Sequence, residues 1–411
     1  MTARHETCIV GLNYPPEPTG ISPYAGGLAV GLAKAGHTVT AHVAHPHYPE
    51  WKIHAGFGQW TRHESSEGVD VVRRLHYVPR TPRGVRRLAS ELTYGLRLLV
   101  GRWGRPKVVI AISPPLFSTA LVVARARLTR KRPTVIVWVQ DIYSLGLSET
   151  GEGSNLTLRF TKWVERYVLS SADRVVVIHE RFADFMERDF CVSPSRVSVI
   201  RNWTHLPETA PVNRDEAKAK LKWPREVSLA VHTGNMGAKQ GLSNIVEAAK
   251  LADAMEAPVH FILVGDGGER RTLQELAIGA SRLTFVDPLD AEAYRLALGA
   301  ADVLLVNEMP GVSAMAMPSK LTSYFDAGRP VVAATDPHGI TASEIKTSGA
   351  GVVVPAGDPS ALLNAILDMR EHSDRAAEYA ENGRAHRHAV LSKQAAINQW
   401  LQIVGALVGD D

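Results

Sequence analysis

Short runs rich in valine and isoleucine alternate with helical patterns along nearly the whole chain, and the alternation stops once and starts again. Runs at 7–12, 38–43, 69–75, 108–112, 135–139 and 174–178 read as strands, and the last three lack strict apolar–polar alternation, as expected of strands covered on both faces of a parallel sheet. Helical spacing at 23–35, 85–100, 116–128 and 156–170 separates them. A last strand at 197–203 leads into a polar stretch, 204–224, that carries Pro207, Pro211 and Pro224. Strands at 228–232, 259–264, 283–286, 302–306, 330–334 and 351–354 then interleave with helices at 241–254, 268–278, 290–299, 319–327 and 359–370. Parallel strands need crossover helices, so each series predicts a doubly wound α/β domain. A chain of 411 residues is also too long for one typical core.

Two strand-to-helix turns are rich in glycine. Residues 229–241 (Leu-Ala-Val-His-Thr-Gly-Asn-Met-Gly-Ala-Lys-Gln-Gly) run from an apolar strand through a turn carrying Lys239 and Gln240 into a helix marked by Ile245, Val246, Ala248 and Ala249. Such a turn can hold an anion, because glycines let the backbone approach a phosphate, the helix start offers free N–H groups and Lys239 adds full charge. The stretch also fits an ordinary turn with a solvated lysine, and it is neither a P-loop nor G-x-G-x-x-G. The loop around Gly20, after the first strand, is a second turn of this kind. Asp141 follows the 135–139 strand, at the carboxyl edge where open α/β sheets bind ligands. A carboxylate there can take a proton from an attacking hydroxyl, hold a hydroxyl, or cap the next turn.

Charge is uneven. Residues 1–205 hold 27 Lys+Arg against 16 Asp+Glu, and residues 206–411 hold 19 against 26. Between Arg80 and Arg132 there are 13 basic residues and one acid, Glu91. A surface of that sign suits nucleic acid, anionic lipid or a phosphorylated substrate, but no nucleic-acid motif or aromatic interleaving accompanies it. Within this stretch the 85–100 helix sets Leu88, Leu92, Leu96 and Leu99 along one side and Arg86, Arg87 and Arg97 beside them, a pattern that suits a helix lying in a lipid interface. Arg83, Arg86 and Arg87 are the membrane-facing candidates. No apolar run has the roughly 20 residues of a membrane span, and none reads as a signal peptide. Cys8 and Cys191 are too far apart for a metal spacing and fit a reducing cytoplasm. His42, His45 and His47 cluster without nearby acids, so no metal is expected.

The second half resembles the nucleotide-sugar domain of GT-B glycosyltransferases, in particular the retaining enzymes of family 4. The resemblance lies in Thr-Gly-Asn-Met-Gly-Ala-Lys-Gln-Gly (233–241), Leu-Val-Gly-Asp-Gly-Gly-Glu (263–269), Ala-Asp-Val-Leu-Leu-Val (301–306), Pro-Ser-Lys-Leu (318–321) and Ala-Gly-Arg-Pro-Val-Val-Ala (327–333). Tyr-Pro-Pro-Glu-Pro-Thr-Gly (14–20), the Gly-His-Thr-Val strand entry and Val-Ile-Arg-Asn-Trp (199–203) fit the same family. Five motifs in the family's order are specific where each alone is weak. The resemblance implies a GT-B fold, two Rossmann-like domains facing a cleft, with 1–205 on the acceptor side, 206–385 holding the nucleotide sugar, and a C-terminal helix, 386–411, returning to the first domain. It is nearest to enzymes of capsule, O-antigen and colanic-acid assembly.

It implies further that Gly234, Asn235 and Lys239 meet the donor diphosphate, that backbone near Phe285 meets the base, and that the Gly265 turn shapes the cleft. Gly20, Gly237 and Gln240 complete the candidate substrate site, with Asp141 and Lys239 as catalytic candidates. The chain departs from the family at five positions. Asn235 and Gln240 stand where relatives carry Arg and Lys, and Gln140 stands where many carry His before Asp. The family's two glutamates fall on Met315 and Ser323, so Ser319 and Lys320 are the expected substitutes and Lys320 the second cation. The implied reaction is metal-independent transfer from a UDP- or GDP-sugar to a saccharide carried on a polyprenyl diphosphate, at the inner face of the plasma membrane. Other readings are a soluble small-molecule acceptor, a GT-B sugar-nucleotide epimerase, and a non-catalytic basic binding protein.

Overall fold

A computed structural model describes residues 6–18, 20–82, 84–150, 154–203, 212–311 and 320–408. The chain forms two compact units, 1–205 together with 393–411, and 206–392.

The first unit runs β1 (Glu6–Gly11), α1 (Ser22–Lys34), β2 (Thr38–Ala44), β3 (Thr61–Ser66), β4 (Val69–Arg74), α2 (Gly84–Val100), β5 (Val108–Ser113) and α3 (Leu116–Leu128). It continues with β6 (Thr134–Val139), α4 (Tyr143–Thr150), α5 (Asn155–Ser171), β7 (Arg174–Val177), α6 (Glu180–Phe190) and β8 (Val197–Val199). The strands form one sheet in the order β3-β4-β2-β1-β5-β6-β7-β8, parallel except for β3. β1, β5 and β6 are central and almost wholly buried, which is why they read as unbroken apolar runs. β3, the edge strand, was not legible, since Thr-Arg-His-Glu-Ser-Ser has no apolar face to show.

The second unit runs α7 (Arg214–Leu221), β9 (Ser228–Thr233), α8 (Ser243–Ala254), β10 (Val259–Val264), α9 (Arg270–Leu276), β11 (Leu283–Val286), α10 (Ala291–Ala300) and β12 (Val303–Asn307). After it come α11 (Lys320–Ala327), β13 (Val331–Thr335), α12 (Ile340–Ser348), β14 (Gly351–Pro355), α13 (Pro359–Glu371) and α14 (Ser373–Ala389). Its sheet is parallel throughout, ordered β11-β10-β9-β12-β13-β14. Both sheets reverse direction beside their first strand, the arrangement that opens a crevice at the carboxyl ends.

The polar stretch after 204 contains a helix where a linker is expected. α7 has no apolar stripe; Asn213 caps it by accepting from the Glu216 amide at 3.1 Å, and buried Lys218 reaches Asp302 at 2.7 Å. The chain end, which the pattern at 376–408 presents as one helix, is two: α14 and α15 (Lys393–Val408). The second unit extends through Ser392, beyond the expected 385, because α14 packs on α11 and Leu391 is buried in that unit's core. α15 belongs to the first unit, where Ile397, Trp400 and Val404 join the core and the Trp400 ring lies 5.1 Å from that of Trp138.

Candidate functional site

In the second unit the turns after β9 and β10 touch backbone to backbone. Gly234 and Gly265 have φ of 116° and 133°, and a Cβ on Gly265 would stand 2.1 Å from the Gly234 carbonyl oxygen, so no other residue fits there. The Met236 amide donates to the Asp266 carbonyl at 2.8 Å, and the Glu269 amide to the Met236 carbonyl at 2.9 Å. Gly237 donates its amide to the Gln240 side chain at 3.1 Å, which folds residues 238–240 into a single tight turn before α8. Asn307, at the end of β12, donates to the carbonyls of Gln240 and Gly241 at 2.8 Å each and accepts from Asn244 at 2.8 Å. The loop is therefore held in shape from a neighbouring strand. Asn235 and Lys239 are exposed, and the Asn235 amide lies over Gly237 and Gly267, where a Cβ would stand 2.8 and 2.7 Å from it. Phe285, in β11, is half-buried against the core below the Gly265 turn.

Lys320 opens α11 and enters this turn from the other side. Its ammonium lies 3.2 Å from His232 Nε2, and a Cβ on Gly234 would stand 3.6 Å from it. His232 is fully buried; its Nδ1 faces the Leu305 carbonyl at 3.1 Å and must carry the hydrogen, which leaves Nε2 to accept from Lys320. Burial, and then the Lys320 charge, hold the imidazole well below its ordinary pKa, so it stays neutral. Burial also brings Lys320 down to about 8, against the opposing pull of Glu308. The Glu308 carboxylate accepts from Thr335 and, at 2.6 Å, from Thr341. Among the described residues no carboxylate comes within ion-pair distance of Lys320. A desolvated cation without a bonded counter-charge, set against a glycine turn, is a site that favours an anion. Glu308 and His232 were missed at the level of sequence: each is a polar residue at the end of a buried strand, with no spacing to mark it. Ser319 lies outside the described residues, and Ser323 is buried in α11.

In the first unit Gly20 has φ of 68°, and a Cβ on it would stand 3.3 Å from the Tyr48 ring. Beside it Glu17, almost fully buried, joins the loops after β1 and β2 by accepting from the amides of His47 and Tyr48 at 2.8 and 2.9 Å and from Asn13 at 2.9 Å. The clustered histidines are each engaged separately: His42 with Arg74, His45 with the Gln59 carbonyl, His47 with the His45 carbonyl. Gln140 exchanges two amide hydrogen bonds with Asn202, at 2.7 and 3.2 Å. Asp141, between β6 and α4, accepts from the Ile142 amide at 2.8 Å and stays open to solvent. Crowding by the surrounding protein raises its pKa, while the Ile142 bond and the Arg87 charge oppose the rise.

α2 turns a different side inward from the one its leucines mark. Tyr94 donates to the Gly11 carbonyl at 2.8 Å, and Gly95 lets α3 approach so closely that a Cβ would meet Leu121 at 2.6 Å. Ser90, Glu91, Tyr94, Gly95 and Leu98 are therefore buried, Leu88 and Leu99 are half-buried, and Leu92 and Leu96 are left exposed. Arg86 is exposed and donates to Thr81 at 2.7 Å. Arg87, another of the membrane-facing candidates, is exposed and donates to the Tyr143 hydroxyl at 3.0 Å, over whose ring it lies, and pairs with Glu91 at 3.5 Å. Tyr143, half-buried and next in sequence to Ile142, in turn donates to the buried Glu91 at 2.5 Å. Arg83 lies outside the described residues. No helix among the described residues is long and apolar enough to cross a membrane.

Two family models match this chain: the glycosyl transferase 4-like domain over residues 19–203 and the glycosyl transferases group 1 over residues 228–372. WcaI of Escherichia coli (strain K12), whose name assigns it to colanic acid biosynthesis as a glycosyl transferase, is 28% identical over 96% of this chain and 98% of its own. WbjE of Pseudomonas aeruginosa, named as a glycosyltransferase, is 27% identical over 57% of this chain and 60% of its own. Among solved structures, sucrose-phosphate synthase from Thermosynechococcus elongatus superposes with a TM-score of 0.73 at 20% identity, covering 99% of this chain and all of that one. Anabaena HepE in complex with UDP superposes at 0.66 and 14% identity, covering 98% of this chain and all of its own. The order of the two matched domains and the two doubly wound sheets agree: this chain belongs to the family 4 glycosyltransferases of GT-B fold.

Proposed function

We propose that this glycosyltransferase takes its sugar from a UDP- or GDP-sugar held at the second unit's glycine turn, retains the anomeric configuration, and delivers the sugar to a lipid-linked saccharide in cell-surface polysaccharide assembly. The observation that carries this reading is Lys320: a half-buried ammonium beside Gly234, bonded to a neutral histidine and to no carboxylate among the described residues. A diphosphate supplies the missing negative charge. As the sugar–phosphate bond breaks, that charge grows on the leaving oxygen, where a preorganised cation in a desolvated setting helps most. Lys239 and Asn235, exposed on the same turn, are placed for further contacts to the phosphates, and no metal is required for this neutralisation. In the first unit Asp141 is the candidate to hold or deprotonate the acceptor hydroxyl.

The lipid-linked acceptor and a place at the inner membrane face are supported by the likeness to a protein named for colanic acid biosynthesis and by the exposed leucines of α2 beside Arg86. Incubation with UDP- and GDP-sugars, with and without polyprenyl-diphosphate saccharides, tests the proposal by release of nucleoside diphosphate. Release that depends on the lipid-linked acceptor is the expected result. Release with soluble saccharides alone would place the acceptor in solution, and a new sugar nucleotide in place of free diphosphate would make the protein an epimerase.

A further inference from the structure

α5 keeps an apolar ridge in solvent. Leu156, Phe160, Trp163 and Tyr167 are 76%, 52%, 65% and 37% exposed, and their spacing of four, three and four residues sets them in one row along the helix. The helix has no shortage of inward-facing residues, since Thr161, Val164, Glu165, Val168 and Leu169 are buried. The ridge is ordered rather than splayed: Phe160 stacks on Phe117 of α3 and on Trp163, with ring centroids 6.0 Å apart in both pairs. Leaving a Trp and a Phe this open forgoes the burial that normally stabilises such side chains.

Beside the ridge runs a second row, Arg159, Lys162 and Arg166, all exposed; Arg166 also donates to the Asp189 carbonyl at 3.1 Å. The one acid of α5, Glu165, is buried, so the helix presents cations and apolar side chains to solvent and no carboxylate. α2, α3 and α5 pack side by side on one face of the sheet, and α2 adds exposed Leu92 and Leu96 to the same layer.

We propose that the Leu156–Tyr167 ridge of α5 docks on an anionic lipid bilayer, its aromatic side chains entering the interface and Arg159, Lys162 and Arg166 meeting the head groups. Trp, Tyr and Phe beside cations are the residues that favour the head-group level of a membrane. A second copy of the chain would bring two cationic rows together, which like-charge repulsion opposes. The proposal deepens the membrane part of the function above and moves the main contact from α2 to α5.

The test uses the full chain, sedimented with vesicles of phosphatidylcholine alone or mixed with phosphatidylglycerol. Wild type should bind the mixed vesicles and release with salt. Phe160→Ser with Trp163→Ser should weaken binding at least about tenfold, and neutralising all three cations roughly a hundredfold, about fivefold for each. Since every altered side chain is exposed, melting temperature and nucleoside diphosphate release in detergent should match wild type, which separates loss of docking from loss of fold. Unchanged binding of the Phe160/Trp163 variant, or equal binding of wild type to neutral vesicles, overturns the proposal. A lipid-free dimer that the same variant dissolves overturns it in favour of a second copy. Vesicle binding without any turnover of sugar nucleotides would sink the transferase reading and leave the ridge standing.

Discussion

The charge state of Lys320 should be readable as a pH dependence of donor binding. Its pKa is depressed to about 8 by burial, and an ammonium is the form that binds a diphosphate. A lysine whose folded pKa is lowered keeps its charge below that value and loses it above, so affinity is full near pH 7 and falls as pH rises through 8. Linkage sets the slope: one unit above the pKa about a tenth of the lysine is protonated, so the dissociation constant should rise about tenfold between pH 7 and 9, or about 1.4 kcal/mol. The ceiling is the worth of a charged hydrogen bond, about 1.5–3 kcal/mol. Phosphate ionisation contributes little here because its second proton leaves near pH 6. Isothermal titration of UDP and GDP at pH 7, 8 and 9 measures it. Lys320→Met should bind more weakly at pH 7 by the same 1.5–3 kcal/mol or so and show no further fall, while Lys320→Arg should lose the pH dependence because a guanidinium stays charged. A wild-type affinity that is flat across this range, or a methionine variant that binds as well as wild type, would refute the assignment of Lys320 to the diphosphate.

Exposed Lys239 is expected to matter less: Lys239→Ala should cost under about 1 kcal/mol of UDP or GDP affinity, measured in the same titration. Asp141→Asn should cut acceptor-dependent diphosphate release by about 10²-fold or more while the melt stays within about 0.5 kcal/mol of wild type; full turnover would exclude Asp141 from the reaction. Gly265→Ala places a methyl group on the Gly234 carbonyl and should destabilise the second unit by about 3 kcal/mol or more in urea. Tyr143→Phe removes a donor from buried Glu91 and a partner from Arg87, an expected loss of about 1–3 kcal/mol in thermal unfolding.

How much of this could be read beforehand depended on whether the signal was local. The central strands and the two series of βαβ units were legible because burial on both faces leaves a continuous apolar run in each strand. β3 and α7 were not, because an edge strand and a short surface helix are held by ends and caps rather than by an apolar pattern. Gly234, Gly265 and Lys320 were legible as turn and helix-start residues. Their meeting with His232 and Glu308 is a product of strand order, since β9 and β12 are neighbours in the sheet and 70 residues apart in the chain. α2 is the clearest limit. Its leucine spacing identified an amphipathic helix but not which side turns inward, and Gly95 and Tyr94 decide that through contacts with α3 and the ends of β1 and β2. α5 shows the same limit: its aromatics and cations fit a helix anywhere, and only their exposure in the fold makes them a surface.

The place of α15 has a consequence for synthesis. Trp400 is fully buried in a core that, α15 apart, is built from residues before 205, whereas the second unit is continuous in the chain and ends at Ser392. During synthesis the first unit therefore lacks its last helix until the whole second unit has been made. At about 5–20 residues per second, the roughly 190 intervening residues impose a wait on the order of 10–40 seconds. Through that interval Trp138 has no Trp400 to cover it, and the nascent first unit presents an apolar seam to chaperones. The domain made first is the one finished last.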